Sequence, residues 1–106
     1  MNIWIDIDDT ICYYNVENKG DYNLAIPDYN KINIVNKLYD AGHTITMWTA
    51  RGTVTGIDWY MVTKTQLDQW NVKYHDLLMG KPAYDLFIDD KALTTLEQIN
   101  NKLFIS

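Results

Sequence analysis

A chain of 106 residues with 47% apolar residues, 22% charged residues and a formal net charge of −5 has the size and composition of one globular domain, expected to span residues 1–106. No apolar run reaches the roughly 18 to 20 residues of a membrane span, no basic stretch leads into an apolar leader, and the lone Cys12 excludes an internal disulfide, so a cytoplasmic protein is expected. The nine Lys and Arg are scattered, which argues against the clustered cations of a nonspecific nucleic-acid binder.

The first predicted element is a strand over Asn2–Ile7, apolar on both faces and so suited to the centre of a parallel sheet. It ends in Asp6-Ile7-Asp8-Asp9-Thr10. Residues two apart in a strand share a face, so Asp6 and Asp8 emerge together where the strand stops. From Ile11 to Ile26 short aromatic arms flank the turn residues Asn18-Lys19-Gly20-Asp21, the pattern of an exposed hairpin or flap. Pro27-Asp28 opens a helix with Ile32, Val35, Leu38 and Tyr39 on one face, closed by Gly42.

A second strand, Thr44–Trp48, runs into Thr49-Ala50-Arg51-Gly52 and is followed by a helix from about Ile57 to Trp70. A third strand is expected over Tyr74–Met79. Gly80-Lys81-Pro82 then turns the chain into a fourth, Asp85–Ile88, which ends in Asp89-Asp90. Thr94-Thr95-Leu96-Glu97 fits a capping box for a short helix to Asn101, and Leu103-Phe104-Ile105 reads as a closing strand. Strands alternating with helices predict an α/β fold: a three-layer, Rossmann-like parallel sheet of about five strands with helices on both faces, a short flap after the first strand and no cap domain. Ligands in such sheets bind beyond the carboxyl ends of the strands, where Asp6, Thr49 and Asp89 are expected to lie, with Lys81 on the same edge.

Gathering Asp6, Asp8, Asp89 and Asp90 is repulsive by ~4 kcal/mol per close pair at an effective dielectric near 20, so the cluster calls for a cation. Oxygen-only ligands favour a hard ion, and Mg²⁺ suits them because it takes few carboxylates and keeps places for water and phosphate. A carboxylate beside Mg²⁺ can attack phosphorus and form an aspartyl phosphate, and a second carboxyl two residues on can protonate the leaving oxygen and then activate water. Asp6 is the expected nucleophile and Asp8 the expected general acid/base. Thr49 and Lys81 are expected to contact the phosphoryl group, with a further contact from the backbone at Asp9, while Arg51 is expected either to clamp a substrate oxyanion or to pair with a surface acid. His43, His75, Trp59 and Trp70 read as ordinary edge or core residues; Tyr13, Tyr14 and Tyr22 could contact substrate or pack against the flap.

These four segments, in this order, resemble the four motifs of the haloacid dehalogenase superfamily. Asp6-Ile7-Asp8-Asp9-Thr10 matches the first, Thr49 the second, Lys81 the third and Asp89-Asp90 the fourth. The resemblance implies a phosphatase in which the Asp6 side chain, the Asp8 backbone carbonyl and an acid of the last pair hold Mg²⁺, Asp90 directly and Asp89 through water. It also implies a helical turn and hairpin flap over Ile11–Ile26. The gaps from Thr10 to the first helix and from Thr49 to Lys81 hold no cap, which in such relatives goes with large substrates or a neighbouring subunit acting as lid. A sugar phosphate or other small phosphomonoester is the expected substrate, with a polynucleotide 3′-phosphatase as the alternative. A receiver-type phosphoacceptor fits less well, because Thr44–Trp48 carries no acid, and a silent phospho-ligand binder would have no use for the intact motif residues.

Overall fold

Strands form where β-branched and aromatic residues run together, and helices where apolar residues recur every three or four positions. The computed structural model describes residues 1–104, in the order β1 (Asn2–Ile5), β2 (Cys12–Tyr13), β3 (Ile26–Pro27), α1 (Tyr29–Asp40), β4 (Thr44–Trp48), α2 (Tyr60–Gln69), β5 (Asp76–Leu78) and α3 (Leu96–Phe104). β1, β4 and β5 make a parallel sheet in the order β1-β4-β5, with Ile3 opposite Ile45, Ile5 opposite Met47 and Met47 opposite Leu77. The result is a small α/β fold with a three-stranded parallel sheet and three α-helices among the described residues. None of the described helices is long and apolar enough to cross a membrane.

β4 is the central strand, and its Ile45 and Met47 are fully buried with Ile5 and Ile7 from the first segment, Ile32, Val35 and Leu38 from α1 and Leu67 from α2. Each such aliphatic side chain contributes about 1.5–3 kcal/mol when taken from water. α1 starts at Asp28, whose carboxylate accepts from the Lys31 N–H at 3.3 Å. That bond satisfies one of the otherwise orphaned first-turn donors. The expected flap is present: β2 and β3 form a two-rung antiparallel ladder, Cys12 with Pro27 and Tyr13 with Ile26, and between them lie two single 3₁₀ turns, Val16–Asn18 and Tyr22–Leu24.

Several expectations need correction. β1 lies at an edge of the described sheet instead of its centre, and Trp4 remains 54% exposed with its ring edge-on to Trp48 at 5.2 Å. α2 starts at Tyr60 instead of Ile57, because Gly52 and Gly56 hold positive φ and the Asp58 carboxylate caps the Tyr60 N–H at 3.0 Å. Asp85–Ile88 forms no strand: Leu86 and Ile88 are 78% and 87% exposed, while Phe87 stacks on Tyr84 at 5.3 Å. Local contacts win there, since the Asp89 carboxylate accepts from Lys91 N–H at 2.8 Å and closes the segment on itself.

The capping box is shifted by one residue. Thr95 Oγ1 accepts from Gln98 N–H at 3.4 Å and Gln98 Oε1 accepts from Thr95 N–H at 3.2 Å. Glu97 is thereby free to pair with Lys31 of α1, which ties the two helices together. α3 continues to Phe104, so Leu103 and Phe104 belong to a helix and not to the expected closing strand; Ile105 lies outside the described residues.

Candidate active site

The end of β1 is shaped by Ile7. Its side chain is fully buried, and its carbonyl accepts from the N–H groups of Thr10 at 3.1 Å and Ile11 at 2.9 Å. With Ile7 turned into the core, the alternation of an extended chain sends Asp6 and Asp8 the other way, and both line one cleft. Asp9 completes the turn at φ 60°, a left-handed conformation that costs a non-glycine residue about 1–2 kcal/mol and that clusters at functional sites.

The cleft has a volume of about 410 Å³ and lies between that turn, the hairpin residues Tyr14, Lys19 and Tyr22, and the loops that carry Arg51, Lys81 and Tyr84. This is enough room for a small phosphorylated molecule. Lys81 Nζ stands 3.4 Å from Asp6 Oδ1, and the ammonium lies over the rings of Trp48 and Tyr84 at 5.6 and 5.4 Å. Burial raises the carboxyl of Asp6 above its ordinary value, and the neighbouring Lys81 partly offsets this. Seventy-five positions apart in the chain, the two are joined by backbone geometry. Gly80 at φ 82° lets Lys81 N–H reach the Thr49 carbonyl at 3.0 Å, and Thr53 Oγ1 donates to the Lys81 carbonyl at 2.8 Å.

Thr49 is buried, and its Oγ1 accepts from the Arg51 backbone N–H at 3.1 Å. A hydroxyl so engaged keeps its own proton to donate. Thr49 is therefore the hub of the loop after β4; expected to contact the phosphoryl group, it lies behind the cleft lining, whose wall at this loop is formed by Ala50 and Arg51. Gly52 is required in this loop, because a Cβ there would lie 2.0 Å from the Ile57 carbonyl oxygen.

Of the two roles expected for it, Arg51 takes the ion pair, though with a cleft acid and not a surface one. Its side chain is fully buried and forks onto Asp8, with Nη2 2.8 Å from Oδ1 and Nε 3.1 Å from Oδ2. Thr63 and Gln66 of α2 accept from Nη1 at 3.1 and 2.7 Å. The sequence reading passed over both. The legible signal was polar residues recurring at helical spacing beside the core residue Leu67, on a face that should be apolar. Tyr14, expected to contact substrate or to pack against the flap, instead donates its hydroxyl to Asp8 Oδ1. Burial and then this bond push the phenol up, so it stays protonated.

Of the four expected metal-binding acids, Asp6 and Asp8 line the cleft, whereas Asp89 and Asp90 are exposed and do not. The hard oxygen donors at the end of β1 suit Mg²⁺ chemically. As arranged, however, they fall short of a metal site, for no three His, Cys, Asp or Glu among the described residues stand together to hold an ion. Elsewhere, a groove of about 520 Å³ lined by Tyr39, Lys64, Lys73 and His75 carries cations already paired, Lys64 with Asp68 and Lys73 with Asp40. His75 is structural: Nδ1 accepts from Ile45 N–H at 3.0 Å. Trp70 is buried as expected, and Trp59 packs edge-on to Tyr22 at 5.1 Å.

No family model and no curated protein matches the chain. Among solved structures, it is similar to the crystal structure of a target protein from Vibrio cholerae, with 27% sequence identity over 95% of each chain and a TM-score of 0.76.

Proposed function

We propose that the chain is a Mg²⁺-dependent phosphomonoesterase of the haloacid dehalogenase type, working through an aspartyl phosphate on Asp6, with a sugar phosphate or another small phosphomonoester as substrate. The observation that carries this reading is the meeting of Asp6, Asp8 and Lys81 in one cleft, the ammonium 3.4 Å from the first carboxylate and the second carboxylate held from behind by a buried arginine. A nucleophile, a proton carrier two residues on and a cation for the developing charge are the groups that phosphoryl transfer needs.

Asp6 attacks phosphorus while Asp8 gives its proton to the departing oxygen. Asp8 then takes a proton from the water that attacks the phosphoenzyme, which frees phosphate and restores the Asp6 carboxylate. Lys81 balances charge on Asp6 and the phosphoryl oxygens throughout, and Thr49 offers its hydroxyl proton from the adjoining loop. Mg²⁺, when bound, supplies charge neutralisation that lets a carboxylate approach a phosphate dianion.

The Asp6 carboxylate and Asp8 backbone carbonyl would hold the ion with Asp90, and Asp89 would act through water. That set requires the exposed Leu86–Ile88 segment to add to the open edge of β1 as a fourth parallel strand, extending the sheet toward the larger one expected. The cleft mouth, between the hairpin and the loop after β5, would be covered by a bulky substrate or a neighbouring subunit.

The test is turnover of p-nitrophenyl phosphate. Steady hydrolysis with Mg²⁺, lost with chelator and in Asp6→Asn, is expected. Stoichiometric phosphorylation without turnover points to a receiver-type module, and phosphate binding without either points to a silent relative. Phosphorylated sugars, nucleotides and 3′-phosphorylated oligonucleotides offered in turn identify the substrate, and preference for the oligonucleotide replaces the sugar-phosphate assignment.

A further inference from the structure

Arg51 has five N–H bonds, and protein acceptors take all of them. Nε is shared between Asp8 Oδ1 at 3.3 Å and Oδ2 at 3.1 Å; Nη2 reaches Asp8 Oδ1 at 2.8 Å and the Tyr14 hydroxyl at 3.4 Å; Nη1 serves Thr63 Oγ1 and Gln66 Oε1. The guanidinium also stacks against the Tyr22 ring, 4.9 Å from its centroid, and its side chain has no exposed surface. No donor remains for a substrate oxygen.

The two oxygens of Asp8 are treated unequally. Oδ1 accepts from Arg51 Nη2 and Nε, from the Tyr14 hydroxyl and from Cys12 Sγ at 3.5 Å, while Oδ2 accepts from Arg51 Nε alone. An oxygen crowded by four donors has no lone pair to spare, whereas one with a single donor does. Resting on the phosphatase reading, we propose that Arg51 is a positioning residue acting only through Asp8: it anchors Oδ1, with Tyr14 as second brace, and leaves Oδ2 as the oxygen that exchanges the proton with the leaving group and the attacking water. Thr63 and Gln66 serve to fix the guanidinium, and Gln66 is itself tied to the hairpin through the Tyr22 carbonyl at 2.6 Å. As the P–O bond breaks, the proton on Oδ2 passes to the leaving oxygen and Asp8 becomes a carboxylate. In the second step, water gives one of its own protons to Oδ2 as its oxygen bonds to phosphorus and the Asp6–phosphorus bond breaks.

A brace for proton donation matters most when the leaving oxygen is a poor leaving group. Arg51→Lys retains the charge and loses the planar fork. It is expected to lower kcat about a hundredfold on an alkyl phosphate and about tenfold or less on p-nitrophenyl phosphate, with KM changed less than about twofold. In an Asp8→Asn background the same substitution should have no further effect on kcat, because the group it positions is gone.

Tyr14→Phe keeps the ring and removes one donor to Oδ1, so it should show the same leaving-group pattern at smaller size; it decides the matter where Arg51→Lys does not fold. Equal losses in kcat/KM across leaving groups, which reports the phosphorylation step alone, or additive losses with Asp8→Asn would make Arg51 a direct substrate contact and overturn the inference. Absence of turnover by the unmodified protein on every substrate is a different result, and it overturns the phosphatase reading together with what rests on it.

Discussion

Two acid pairs end two apolar runs in this chain, and the structure treats them in opposite ways. Asp6 and Asp8 flank a buried isoleucine, face one cleft, and are met by Lys81 and Arg51 from loops far away in the chain. Asp89 and Asp90 follow Leu86-Phe87-Ile88, which remains largely exposed, and Asp89 spends its carboxylate on a local turn with Lys91. The difference teaches that an apolar run before a pair of acids is not enough to place them. The first run has β4 beside it and a core below; the second pairs with no strand among the described residues.

The comparison breaks first at the nucleophile. Asp6→Asn should lower turnover by at least about 10⁴-fold in a phosphatase assay, since Asp8, the other acid of the pair, is held by Arg51 and cannot take its place. Asp90→Asn should lower it by about 10–100-fold and raise the Mg²⁺ concentration needed for half-activity. Unchanged activity in Asp90→Asn would leave the C-terminal pair without a part in the site.

Stability separates the regions in a second way. Arg51→Met strands the carboxylate of Asp8 and the acceptors of α2, and chemical denaturation should show a loss of about 3 kcal/mol. Ile88→Ser, at a side chain already in water, should change the same measurement by less than about 0.5 kcal/mol without Mg²⁺. If Mg²⁺ draws Leu86–Ile88 onto β1, the amides of that segment should gain protection from hydrogen exchange when the ion is added, and Asp90→Asn should abolish the gain.

The smallest expected effect concerns pH. Because burial raises Asp6 above its ordinary value of 3.8, the folded protein holds this proton more tightly than the unfolded chain. Its contribution to stability is therefore fully present below that value and is lost as pH rises through the raised folded value. At neutral pH the buried charge is a liability, so Asp6→Asn, though inactive, should melt a few degrees higher than the parent, and the gain should vanish in acid. A lower melting temperature at neutral pH would mean that the Lys81 contact outweighs burial. Cys12 is a control: burial and the nearby Asp8 push its thiol up to about 12, so it should resist thiol reagents until the chain unfolds.

What could be read in the residues alone was whatever short-range chemistry dictates. The period of α1, the strand Thr44–Trp48, the flap between Ile11 and Ile26, and the pairing of Asp6 with Asp8 all follow from spacing, and each is where it was expected. Helix boundaries near Gly52 and Gly56, the capping partner Gln98 and the extension of α3 through Phe104 were misjudged. In each, competing local hydrogen bonds of similar strength differ by a residue or more, and packing chooses between them.

The tertiary structure decided two matters that no local pattern encodes. It enclosed Arg51 between α2 and the hairpin and so selected an acid pair, with Asp8, over a substrate clamp, because a buried guanidinium must satisfy all its donors. It also left Asp85–Ile88 off the sheet, because a strand is stabilised by the edge it pairs with, and sequence specifies the segment but not the free energy of that pairing.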